Sequence, residues 1–208
     1  MSYPVRIFVL IAIVAGLAWW APWRQFTEAV ALPPGFEGYN GSHYRVARPA
    51  GWRPQQGSDD LGHRYMEFNG PATRDGAYSG QARVAEWEQW PHELETKLVQ
   101  FRSSAQKSGQ RVVKEEPVVV KGAVSAYRFE LSQRSRTATG ASVSLRSIDT
   151  FALTEDQVLL QLTVRVPQGD EGDDGRVPEI LKSFQARSER RGPFDLLPDI
   201  KFPELKLT

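Results

Sequence analysis

Val158-Leu159-Leu160-Gln161-Leu162-Thr163-Val164-Arg165-Val166 decides the fold class. Val158, Leu160, Leu162, Val164 and Val166 share one side of an extended chain, and Gln161, Thr163 and Arg165 share the other. A period of two marks a β-strand, here with one face on a core and one toward water. Working outward, the stretch from Arg111 to Val166 holds four such runs separated by short polar turns. Arg111 to Val120 is the first, and Pro117 within it predicts an edge strand or a bulge, because proline cannot donate to a ladder. Lys121-Gly122 predicts a tight reversal into Ala123 to Leu131, where Tyr127, Phe129 and Leu131 oppose Arg128 and Glu130. Ser132 to Ala141 reads as a polar loop. Ser142 to Ala152 is the next strand, and its alternation slips between Ser147 and Ile148, which predicts a bulge.

Upstream, Tyr44 to Arg48, His63 to Phe68 (with Met66 and Phe68 inward) and Gln81 to Trp90 read as three further strands. Gln55 to Gly62 and Pro71 to Gly80 read as loops. Pro91 suits the first turn of a helix, where a missing N–H does no harm. Leu94, Leu98, Phe101 and Ala105 then recur at helical spacing, and Gly109 is a natural stop. After Val166, Val177, Ile180, Leu181 and Phe184 mark a second, shorter helix. Three strands, a helix, four strands and a helix predict an α+β domain, an antiparallel sheet flanked by helices.

The N-terminus has a different character. Residues 7–23 carry no charge, and a run of about 17 residues is at the short end of what spans a bilayer as a helix. Trp19, Trp20 and Trp23 gather at its end before Arg24, as indoles do at the headgroup level. The lipid bilayer is thus a partner through residues 7–23. The expected organisation is residues 1–6 inside the cell, a single-pass anchor over 7–23, a Pro/Gly-rich linker over 24–42, the folded domain over 43–186 outside the membrane, and a tail over 187–208. The competing reading is secretion after cleavage at Ala29-Val30-Ala31, a small-x-small site. The tail is apolar yet broken by Pro198 and Pro203, and Phe194, Leu197 and Phe202 are its candidate contacts with the domain's own surface or with a partner.

Composition excludes several functions. A formal net charge of +1 argues against nucleic acid. The absence of cysteine removes disulfides, cysteine zinc sites, thiol nucleophiles and lipoprotein acylation. The three histidines, His43, His63 and His92, have no ligand spacing and no Gly-x-Ser-x-Gly elbow nearby. The acidic loop Asp170 to Gly175 fails the EF-hand pattern, with Gly172 and Leu181 where carboxylates belong. No phosphate-cradling glycine loop is present, so no cofactor and no catalysis are expected. The residues left as candidate contacts are Trp52, Trp87 and Trp90, and Arg134 and Arg136 in the polar hairpin tip.

The aromatic-led strand ending in Pro-Ala-Gly-Trp (Pro49 to Trp52), the hairpin from Glu115 to Leu131 centred on Lys121-Gly122, and the closing strand and helix ending on Ser183-Phe184 together resemble PsbP-like domains, whose relatives include a nuclear Ran-binding protein. The resemblance spans roughly Tyr44 to Gln185 and is one of pattern, without a catalytic signature. It implies a central antiparallel sheet between helices, and a protein that acts by binding or by helping assemblies form. The apolar leader is similar to that of bacterial envelope members of the wider group. The leading expectation is a membrane-anchored, extracytoplasmic, non-catalytic domain that mediates protein interaction or assembly in the bacterial envelope, its partner an envelope protein. The alternative is a secreted or anchored small-ligand binder with a cleft near Trp52, Trp87 and Trp90. A third reading, an envelope hydrolase, lacks a visible nucleophile-plus-base motif.

Overall fold

The computed structural model describes residues 32–72, 78–136, 140, 142–168 and 175–187. Within them, ten strands and two helices follow one another as β1 (Phe36–Asn40), β2 (Tyr44–Pro49), β3 (Arg53–Ser58), β4 (Arg64–Asn69), β5 (Gln81–Trp87), α1 (Leu94–Lys107), β6 (Arg111–Pro117), β7 (Ser125–Arg136), β8 (Ser142–Leu153), β9 (Leu159–Pro167), α2 (Arg176–Ser183) and β10 (Gln185–Ala186). Seven strands form an antiparallel sheet in the order β3-β4-β5-β9-β8-β7-β6. A second sheet, β1-β2-β10, is also antiparallel.

Three layers result, because each face of the large sheet is apolar and must be covered. Tyr44 and Val46 of the small sheet, with Val177, Ile180 and Phe184 at α2, pack on Phe68, Val84, Leu160, Leu162 and Val164. On the other face, Leu94, Leu98 and Ala105 of α1 pack on Phe129, Leu131, Phe151 and Leu159, as their spacing predicts. Phe101 joins them, with ring centroids 4.9 Å from both Phe129 and Phe151. This is the expected α+β arrangement. Among the described residues no helix is long and apolar enough to cross a membrane; residues 7–23 lie outside them.

Several expectations are corrected. The second face of β9 does not simply meet water: Leu159 packs into the α1 cluster and Thr163 is buried. Asp149 Oδ1 accepts from Thr163 Oγ1 at 2.5 Å and from Gln161 Nε2 at 2.9 Å, and Asp149 Oδ2 accepts from Ser147 Oγ at 3.0 Å. The slip at Ser147 and Ile148 is no bulge, since β8 pairs with β7 and β9 in unbroken register there. From Ser147 to Leu153 every residue is buried, so the strand passes under cover on both faces and alternation disappears. The bulge lies in β6 instead, between Val112 and Lys114, and β6 is an edge strand, as Pro117 requires. The first half of the predicted loop over Ser132 to Ala141 is strand, because β7 runs on to Arg136 against β8. Gln55 to Ser58 is edge strand β3 rather than loop. Part of the predicted linker is β1, so residues 36–40 belong to the folded domain. Helix α1 starts at Leu94, three residues beyond Pro91, because the Trp90 amide is tied to the Gln157 carbonyl at 2.8 Å.

Candidate functional site

The indoles do not converge. Trp52 is 2% exposed and sits in the core beneath the small sheet. Trp87 and Trp90 lie half-buried with the α1 cluster, on the opposite face of the large sheet. They bracket Lys97, whose Nζ is 4.0 Å from the Trp87 ring and 5.6 Å from that of Trp90. Burial there pushes the Lys97 ammonium down, with the Asp59 carboxylate pulling the other way. The three indoles therefore line no common cleft. Arg134 and Arg136 lie exposed on β7, not in a loop tip. Alternation places them on the strand face that also carries Arg128. Phe194, Leu197 and Phe202, and Trp19, Trp20, Trp23 and Arg24, lie outside the described residues.

The histidines are occupied structurally. Buried His43 holds Glu86 at 2.8 Å, and His63 holds Asp59 at 2.9 Å. Burial pushes the Asp59 carboxyl up, but hydrogen bonds from the His63 ring and from the His63 and Leu61 amides outweigh it and leave the carboxyl below its usual range. His92 meets Trp90 edge-on. Among the described residues no group of three or more His, Cys, Asp or Glu is placed to hold a metal ion; the acidic loop Asp170 to Asp174 lies outside them. A polar cleft of about 480 Å³ opens by Tyr39, Tyr44, Glu86 and Glu88. Burial first, then Glu86 and Tyr39, push the Tyr44 phenol far above its usual value, so it stays protonated there.

Two surfaces stand out beyond these. The first is the β6 edge. Val112 and Val113 are exposed there, and the connection to β7 exposes Val119 and Val124. The second is a groove of about 790 Å³ between that connection, the β7–β8 face and α2. Its floor is apolar: Val118, Ile148, Val177, Leu181 and Phe184. Its rim is cationic: Lys121, Arg128, Arg146 and Lys182. Arg146 is paired with Glu130, and Lys182 with Glu179. Arg128 donates from Nε to Thr150 Oγ1 at 3.1 Å. Burial pushes its guanidinium down from the usual arginine range, and Glu116 offsets part of that. The turn that places Lys121 is the predicted one: Gly122 has φ +83° and the Ala123 amide bonds the Val120 carbonyl. Sequence reading found the turn and Arg128 but not the groove, whose two walls are some fifty residues apart in the chain.

No family model matches the chain, and no curated protein matches it in sequence. Solved structures do. The solution structure of cyanobacterial PsbP from Synechocystis sp. PCC 6803 superposes with a TM-score of 0.52 at 14% identity, covering 73% of this chain and 92% of that one. The Saccharomyces cerevisiae Ran-binding protein Mog1p gives 0.45 at 12% identity over 72% and 94%. LpqN, involved in cell envelope biogenesis of Mycobacterium tuberculosis, gives 0.47 at 14% over 74% and 91%. The fold of this protein is thus PsbP-like, as the sequence pattern implies.

Proposed function

We propose that the protein is a non-catalytic interaction domain, held outside the cytoplasm by a single membrane anchor at residues 7–23, that captures an extended segment of an envelope protein along β6. The observation that carries this reading is the open edge itself. β6 pairs only with β7 among the described strands, and its outer row of backbone groups has valines beside it. An extended peptide that adds to such an edge gains backbone hydrogen bonds and apolar contacts together. The PsbP-like fold supports a binding role as expected from the sequence pattern, and the uncharged segment with its tryptophan rim supports the anchor.

One experiment tests place and surface together, because the chain has no cysteine of its own. Val113→Cys on β6 and Gln55→Cys on β3 are introduced separately into the full chain, and intact cells receive a membrane-impermeant thiol-to-amine crosslinker. Both cysteines should be modified, but only the β6 cysteine should give a discrete protein adduct. Modification only after permeabilisation overturns the location. Equal adducts from both edges, or adducts from neither, overturn the β6 reading.

A further inference from the structure

The groove beneath α2 combines features that the β6 reading does not use. Its floor presents the aliphatic and aromatic side chains of Val118, Ile148, Val177, Leu181 and Phe184. At the end where β6 turns into β7 stand two cations, Lys121 and Arg128; Glu116 lies across the strand register from Arg128 but is paired with Lys114 at 2.8 Å. Among the described residues, Lys121 has no ion pair, and the terminal nitrogens of Arg128 have no hydrogen-bond acceptor. Strand register puts Arg128 across from Thr150 and Arg146 four residues further along β8, with Ile148 between them on the same face. The unpaired cations are therefore at one end of an apolar trough, not scattered round it.

We propose that this groove binds an acyl-chain amphiphile with one carboxylate head, the chain lying along the apolar floor and the head meeting Arg128 and Lys121. A half-buried guanidinium with two free terminal nitrogens matches a carboxylate in a forked pair. The volume, about 790 Å³, is that of a small-ligand site. An extended peptide fits the floor poorly. It brings an N–H and a C=O at every residue, and a floor of hydrocarbon side chains leaves those groups without partners. A methylene chain has no such groups to satisfy.

The full-length protein in phosphatidylcholine vesicles is photolabelled with palmitic acid carrying a terminal diazirine, and adducts are mapped by mass spectrometry. Because the diazirine is at the far end of the chain from the carboxylate, adducts should fall on α2 from Val177 to Leu181, away from the end where Lys121 bridges to Gln185. Excess palmitate should suppress them, and methyl palmitate, which has the chain but no charge, should not. The double variant Arg128→Gln, Lys121→Gln should lose labelling about tenfold, the worth of one charge-assisted pair. Val119 is 98% exposed, so a charge there leaves folding alone. Val119→Glu should weaken labelling by repelling the head, and Val119→Lys should not weaken it. Equal competition by methyl palmitate, indifference to both charge variants, or labelling confined to the N-terminal apolar segment overturns the proposal. So does competition by an acidic peptide of alternating Glu and Val where palmitate fails, which assigns the groove to a peptide. A failed crosslink from β6 leaves this result untouched, and an empty groove leaves the β6 reading untouched.

Discussion

The two edges of the large sheet solve the same problem in different ways. β3 reads Arg-Pro-Gln-Gln-Gly-Ser, with no aliphatic or aromatic side chain, and Pro54 offers no N–H to an incoming strand. The ring of Tyr65 lies over Gly57, where any Cβ would collide with it, and Arg83 stacks on that ring at 3.7 Å from its centroid. β6 is guarded at its last residue, Pro117, by the charged run Lys114-Glu115-Glu116 and by the bulge between Val112 and Lys114. The bulged residue itself, Val113, is more than half accessible. The difference teaches that edge exposure alone says little. Both strands are open, yet only one offers apolar surface along with its backbone, and that pairing makes an edge adhesive.

The largest test of this contrast falls on the β6 side. Gly122 has φ +83°, and a Cβ on it would overlap the Ala186 carbonyl. Gly122→Ala therefore meets a left-handed backbone penalty and a backbone collision, and should cost about 3 kcal/mol. The melting temperature should drop by about 10 °C. Hydrogen exchange should accelerate first at the Ala186 amide, which bonds the Lys121 carbonyl at 2.8 Å, while the β3–β4 amides keep their protection relative to the global unfolding limit. A melting curve unchanged within error would show that the connection after β6 is not anchored there.

The β3 side gives a smaller effect with a change of sign. Gly57→Ala should displace the Tyr65 ring from Arg83 and lose about 1 kcal/mol, against about 0.5 regained by removing a strand glycine. In a Tyr65→Ala background the obstruction is gone, so the same substitution should stabilise. Urea titrations of the four combinations check the sign, and destabilisation in both backgrounds would refute the account of this edge.

Smallest is the tether between α1 and β6. Arg102 sits 2.9 Å from both Glu95 and Glu115, and these hydrogen bonds hold its guanidinium even more firmly protonated than usual. All three side chains are more than a third exposed, so Arg102→Met should cost only about 0.5 kcal/mol. The loss should shrink further at high salt. Its mark should be faster amide exchange in β6 with none in β3, and a uniform change across both edges would remove the tether from the comparison.

Much of this fold is legible in the chain. β2, β4, β5 and β9 announce themselves because each has at least one face in a core, and α1 does so through Leu94, Leu98, Phe101 and Ala105. Pro117 marks an edge and Gly122 a turn, for backbone reasons that no neighbour can override. What escapes has a common cause. β3 has no buried face and so no apolar period. The outer part of β7, from Ser132 to Arg136, extends past the core as a polar ribbon with β8. β8 from Ser147 is covered on both sides, so its pattern loses contrast instead of gaining it. Of the candidate site, Arg134 and Arg136 were visible as charge but not as members of a strand face, and Trp52 was visible as an anchor but not as one walled off from Trp87 and Trp90.

The amino-acid sequence alone determined the antiparallel α+β class, the turn chemistry and the lack of any disulfide, because these follow from side-chain period, backbone constraint and composition within a few residues of one another. Only the tertiary structure decided that Val118, Lys121 and Arg128 would face Val177, Leu181 and Phe184 across a groove. Those neighbours are joined by burial of two sheet faces under different layers, and that choice of partners depends on the shape of the whole domain rather than on any local pattern.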